Sequence, residues 1–155
     1  MPVKTQPTEY HTLTTCLIVD EAAKAINFYT SVFGAVEKMR FEHQGHIGHA
    51  ELRIGDSTLM LADATPEMGY RSPTTVGGSP VTLYLYVPDA DATFKKAIAA
   101  GATERSPVQD QFYGDRSGSF TDPFGHLWTV STHVKDVSEA EMQAHFKEMM
   151  AGAPA

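Results

Sequence analysis

The chain has 155 residues, 42% of them hydrophobic, which suits one compact domain with a substantial core. Its net charge of −7 comes without any cluster of Lys and Arg, so nucleic acid is not an expected partner. No apolar run reaches the roughly 18 residues of a membrane helix, and Cys16, the single cysteine, allows neither a disulfide nor a cysteine zinc site within one chain. A cytoplasmic protein is expected, with no membrane partner and with Cys16 as a buried structural thiol.

Residues 1–11 are polar, with prolines at 2 and 7, and are expected to be flexible. From Thr12 to Val19 the residues are β-branched or apolar and predict a strand. Asp20 is placed as the N-cap of a helix whose stripe runs Ala22, Ala25, Ile26, Tyr29, Val32 and Phe33, and Gly34 ends it. Strands follow at 36–42, 46–54 and 57–62. The stretch 64–79, with its prolines, glycines and short polar residues, reads as a linker.

The pattern then repeats. Val19-Asp20-Glu21-Ala22 leads to Gly34-Ala35, and Val87-Pro88-Asp89-Ala90 leads to Gly101-Ala102 through a stripe of Ala90, Phe94, Ala97 and Ile98. Strands at 103–108, 115–121 and 126–133 complete the second copy. The chain therefore predicts an α+β domain of two β-α-β-β-β modules, 12–63 and 80–137. Ser138-Glu139-Ala140-Glu141 is a capping box that opens a last helix within 138–155. That helix has no counterpart in the first module, and it is expected to pack outside the body or on a second subunit, with a loose tail from Ala151.

Several segments together resemble the vicinal oxygen chelate superfamily, and more closely its PhnB-like branch. They are Leu17-Ile18-Val19-Asp20, Phe28-Tyr29, Phe33-Gly34-Ala35, Ile47-Gly48-His49-Ala50-Glu51-Leu52, the run Gln111 to Gly118, and Asp122-Pro123-Phe124-Gly125-His126. The superfamily includes glyoxalase I, bleomycin-resistance proteins, fosfomycin-modifying enzymes and extradiol dioxygenases. The resemblance implies two modules whose sheets curl around a central cup, often completed across a homodimer. Its enzymes hold a divalent metal in that cup with His and Glu side chains. Matched segment by segment, the ligand positions fall on Thr14, on Leu59 or Met60, on Thr82 and on Thr129. Hydroxyls and a thioether do not offset the desolvation of a divalent ion, so no metal or other cofactor is expected.

Strand alternation sorts the remaining side chains. Thr14, Cys16 and Ile18 share one face of the first strand, Thr82, Tyr84 and Tyr86 one face of the fifth, and Thr129, Ser131 and His133 one face of the last. His49 and Glu51 have two readings. They are a general acid/base pair in the cup, or Glu51 pairs with Arg53 at a rim. A metal held by His46, His49 and Glu51 is disfavoured because strict alternation puts His46 on the opposite face. Phe112 and Tyr113 could close over a ligand while Asp115 and Arg116 fix a polar end; equally, the segment is a tight turn with Arg116 paired to a carboxylate. Asp122-Pro123-Phe124-Gly125 reads as a turn, with His126 exposed beyond it.

The leading expectation is a metal-independent protein binding a small organic ligand, with Thr14, Cys16, Met60, Thr82, Tyr84, Tyr86, Phe112, Tyr113, Arg116 and Thr129 as ligand contacts. The alternative is a lyase or isomerase of glyoxalase type that uses an atypical metal or the His49/Glu51 pair. A third possibility, an interaction domain whose cup is filled by its own side chains, predicts no cavity.

Overall fold

A computed structural model of the chain describes residues 2–153; Met1 and residues 154–155, part of the expected loose tail, lie outside them. The first module is β1 (Thr15–Val19), α1 (Ala22–Phe33), β2 (Val36–His43), β3 (His46–Ile54) and β4 (Ser57–Asp63). A 3-10 turn and the short helix α2 (Pro73–Val76) lie in the connection. The second module is β5 (Thr82–Tyr86), α3 (Ala90–Ala99), β6 (Thr103–Asp110), β7 (Asp115–Thr121) and β8 (Leu127–His133), and α4 (Glu139–Ala151) follows. Each module forms a four-stranded mixed sheet, ordered β1-β4-β3-β2 and β5-β8-β7-β6, and the two are not closed into a barrel. In each, the first strand pairs parallel to the last, which requires the helical crossover the sequence supplies. No described helix is long and apolar enough to cross a membrane.

The helix starts differ from the sequence reading in one respect. Asp20 is not the cap of α1; Glu21 holds that position and makes no side-chain cap bond. Instead the Ala22 N–H donates to Asp63 Oδ1 at 2.7 Å, while Asp63 Oδ2 accepts from the Ile47 N–H at 2.7 Å. The β1–β4 register sets Asp63 beside Val19, so the end of the sheet caps the helix. In the second module Thr132 Oγ1 accepts from the Ala90 N–H at 2.9 Å, and Asp89 caps Ala92 as its sequence position suggests.

Both helices share one hydrophobic core with both sheets. Most of it is aliphatic, including Leu17 and Val19 of β1, Leu52 of β3 and Leu61 of β4, and an aromatic group ties the two modules together. Tyr29 of α1 lies against Trp128 with ring centroids 5.4 Å apart, and Phe33 reaches Trp128 at 4.6 Å and Phe120 at 6.3 Å. These contacts need α1 buried on a wide stripe, one part on its own sheet and one on the other module's. The helix-bearing faces of the two sheets thus turn inward to a common core, which leaves the opposite faces, those the resemblance implies are concave, on the outside of the molecule.

A buried carboxylate joins the modules. Asp122 Oδ2 accepts from Tyr29 Oη at 2.6 Å and from Trp128 Nε1 at 2.9 Å, and Oδ1 accepts the N–H groups of Phe124 and His126, both at 2.9 Å. Burial, reinforced by the Asp122 charge, pushes the Tyr29 hydroxyl well above its ordinary range, so it stays a donor. The 122–125 segment is a turn, as read. His126 is partly covered rather than exposed, with Nε2 at 2.9 Å from the Ile18 carbonyl of the other module. Ser138 caps α4 through the Glu141 N–H, but α4 buries no residue.

Candidate functional site

The side chains that the sequence assigns to one cup are divided between two concave faces, one per module. On the second, Tyr84 and Tyr86 project outward from β5, 46% and 63% exposed. Between them and the sheet lies Asp115, the first residue of β7, only 3% exposed. Its Oδ2 accepts from Tyr86 Oη at 2.9 Å, Ser131 Oγ at 3.1 Å and Tyr84 Oη at 3.3 Å, and its Oδ1 lies 2.7 Å from His133 Nδ1. His133 Nε2 lies 2.7 Å from Asp136 Oδ1. Four groups therefore converge on a carboxylate that alternation brings to the concave side.

The charges follow from these bonds. Burial pushes the Asp115 carboxyl up, but the hydrogen bonds from His133, Tyr86 and Ser131 outweigh it and hold the group below its ordinary value. Hydrogen bonds to Asp136 and Asp115 raise His133, which favours its cationic form between the two carboxylates. Its contribution to stability is complete below the ordinary value of 6.5 and is lost as pH rises through the raised one; that of Asp115 is complete above 3.8 and lost as pH falls through the lowered one. Burial pushes the Tyr84 hydroxyl up to about 12, and donation to Asp115 raises Tyr86, so both remain protonated donors.

Tyr113 joins this face with Oη 3.3 Å from that of Tyr84, whereas Phe112 turns to α4 and stacks on His145 at 5.0 Å. Arg116 is not brought to the face. It points to the helix side and grips Asp91 of α3 through Nε at 2.7 Å and Nη2 at 3.0 Å, with Asp110 as a third contact, which is the paired-carboxylate reading of that residue. Thr82 is exposed at the start of β5, and Thr129 is buried with its hydroxyl 2.8 Å from that of Ser119.

The first module's face is built around Glu51, 5% exposed. Its Oε1 lies 3.2 Å from His49 Nε2, and its Oε2 accepts a hydrogen bond from the hydroxyl of Tyr10. Arg53 does not pair with Glu51. Its Nη1 donates to the Glu9 carbonyl at 2.6 Å and its Nε to that of Gly55, while Thr58 also donates to Glu9. The N-terminal segment expected to be flexible thus crosses this face and covers the glutamate. Tyr10 carries no signal for this in the sequence, because the contact spans 41 residues.

A β-bulge alters the face further. Phe41 pairs with His49 but Glu42 pairs with Ile47, so Gly48 is left over in β3 and the alternation shifts phase. Ile47 goes to the core, and His46 and His49 both line one cavity of about 390 Å³. The strict alternation that separates the two histidines therefore fails here. Cys16 lies exposed on the same cavity and is not the buried thiol expected. Met60 stands opposite both Cys16 and Glu51, and Thr14, before β1, donates to the His11 carbonyl.

The positions that the resemblance gives to metal ligands do not fit a divalent ion. Thr14 and Thr129 have committed their hydroxyls, Leu59 faces the core, and Met60 and Thr82 offer a thioether and a neutral hydroxyl. Among the described residues no group of three or more His, Cys, Asp or Glu side chains is placed to hold a metal ion.

Comparison with known proteins matches this architecture. The model of the Glyoxalase/Bleomycin resistance protein/Dioxygenase superfamily matches residues 11–130. An uncharacterised protein of Mycobacterium bovis is 48% identical over 132 residues, covering 83% of this chain and 87% of that protein. The crystal structure of an Arabidopsis thaliana gene product superposes with a TM-score of 0.64 at 30% identity, over 79% of this chain and 98% of that one. The PhnB protein of Bacillus cereus shares the fold, with a TM-score of 0.59 at 22% identity over 79% and 99% of the two chains. A duplicated β-α-β-β-β chain with this extent of match belongs to the Glyoxalase/Bleomycin resistance protein/Dioxygenase superfamily.

Proposed function

We propose that the protein binds a small organic ligand without the superfamily's metal, and that it does so as a homodimer in the cytoplasm. The observation that carries this reading is the outward turn of both concave faces. Each sets a histidine and tyrosine over a buried carboxylate on its outer side, and the first holds a cavity of about 390 Å³, a size suited to a small ligand. A cup filled by its own side chains would leave no such cavity. Phe41, Tyr84 and Tyr86 are large, apolar-bodied and exposed on these faces, which favours closure by another copy over exposure to water. A face of one module set against the other module of a second copy would give a two-sided site, with two sites per dimer.

Light scattering combined with metal analysis tests this. The expected result is twice the 16.9 kDa chain mass at micromolar concentration, with far less than one metal ion per chain. A monomer, or stoichiometric Zn, Ni, Fe or Mn, would contradict it. The enzymatic alternative has one specific observation in its favour, the 3.2 Å approach of His49 to Glu51. In this structure, however, the second oxygen of Glu51 is occupied by Tyr10, so acid/base chemistry there would first require that segment to move.

A further inference from the structure

We infer that the second module's concave face selects a flat, positively charged, hydrogen-bond-donating ligand and discriminates against anions, an inference that rests on the small-molecule reading above. Both faces use the same device. A buried carboxylate, Asp115 in one module and Glu51 in the other, is covered by tyrosine hydroxyls and flanked by histidine. A tyrosine hydroxyl has one proton, and here it is directed inward to the carboxylate. What the oxygens of Tyr86 and Tyr10 present outward is therefore lone pairs, together with the electron-rich faces of their rings.

On the second face several other donors are engaged within the protein as well. Ser131 donates to Asp115, both ring nitrogens of His133 face carboxylates, and one of the Ser119 and Thr129 hydroxyls donates to the other. The usual anion-holding groups are also occupied or absent. Arg53 gives its guanidinium to backbone carbonyls, Arg116 faces the helix side, and the 390 Å³ cavity has no lysine or arginine in its lining. On the second face two carboxylates, Asp115 and Asp136, flank the one imidazole of His133, so the face is negative whether or not that ring is protonated. There a carboxylate or phosphonate would meet acceptors and negative charge. An amidinium or protonated amine on an aromatic ring would meet acceptors, ring faces and an attractive field.

The test uses the full chain with tyrosine rings labelled for NMR, titrated at neutral pH with benzamidinium and with benzoate, two flat probes that differ in charge and in donor capacity. Benzamidinium is expected to saturate shifts of the Tyr84 and Tyr86 rings with an affinity at least about tenfold above that of benzoate. Asp115→Asn, which removes the charge and supplies an amide donor, should reduce the preference to about threefold or less; if that variant does not fold, the wild-type comparison decides alone. Equal or tighter binding of benzoate at these rings would overturn the inference and leave the small-molecule reading standing. Failure of both probes to saturate the signals would overturn the two together.

Discussion

Replacing Asp122 with alanine is expected to destabilise the fold by about 3–5 kcal/mol, the range for removing one partner of a buried charged network. The carboxylate is 3% exposed and accepts four hydrogen bonds, two of them from Tyr29 and Trp128, whose polar atoms have no water to turn to. With the carboxylate gone, the Tyr29 hydroxyl and the indole N–H become buried donors without an acceptor, and the 122–126 turn loses both of its side-chain bonds. For a chain of this length the loss corresponds to a fall in Tm of roughly 10 °C. Tyr29→Phe keeps the ring packing and leaves Asp122 three donors, so about 1–2 kcal/mol is expected there. Urea denaturation of both variants checks the order; an Asp122→Ala variant less than 1 kcal/mol below wild type would show that the network does not hold the modules together.

Gly114→Ala is expected to cost about 3 kcal/mol and to dismantle the second concave face. Gly114 has φ of +100°, and a Cβ there would overlap the carbonyl oxygen of Lys135 and come within 3.2 Å of Val137 Cγ2. The obstacle is backbone, and it is held in place, since the Gly114 carbonyl accepts from the N–H groups of Val134 and Lys135 at 2.9 and 3.0 Å. Tyr113 and Asp115 flank this residue, so any relief of the clash moves the groups that meet Tyr84 and Tyr86. Gly45→Ala is the control: Gly45 also has positive φ, +80°, but a Cβ there meets nothing within 4 Å. It should lose only the backbone strain, about 1 kcal/mol. Thermal melts with tyrosine NMR separate the two, and equal losses at both positions would refute the packing argument.

Much of the architecture is legible in the sequence because it is local and repeated. The two helices, their glycine stops and the strands after them are written twice, and parallel pairing of first and last strand follows from the crossover. Period-two alternation also places Tyr84, Tyr86, Ser131 and His133 on one face. What escapes it depends on contacts between distant residues. The cap of α1 comes from Asp63 at the far end of the sheet, not from Asp20 next door. A single extra residue at Gly48 reverses the phase of β3 and brings His46 to the side of His49. Tyr10 reaches Glu51 from a segment with no periodicity at all. Alternation also says which side of a strand a residue takes, but not that two sheets turn their helices toward one another and so split the cup into two outward faces.

That division leaves each face with an exposed tyrosine or phenylalanine surface, which a second copy would cover in the proposed dimer. Arg116, which composition alone offers as a ligand contact, is withdrawn to Asp91. Asp115 becomes the polar anchor of the second face, where the turn at 111–114 aims it. The most direct measurement is a crystal structure of the purified protein soaked with a fragment library and analysed for metal. Fragments are expected on the faces around Tyr86 and Cys16, each enclosed by a second copy, with no ion among Thr14, Met60, Thr82 and Thr129. A metal at those positions, or faces that take up no fragment while others bind elsewhere, would contradict the proposed function.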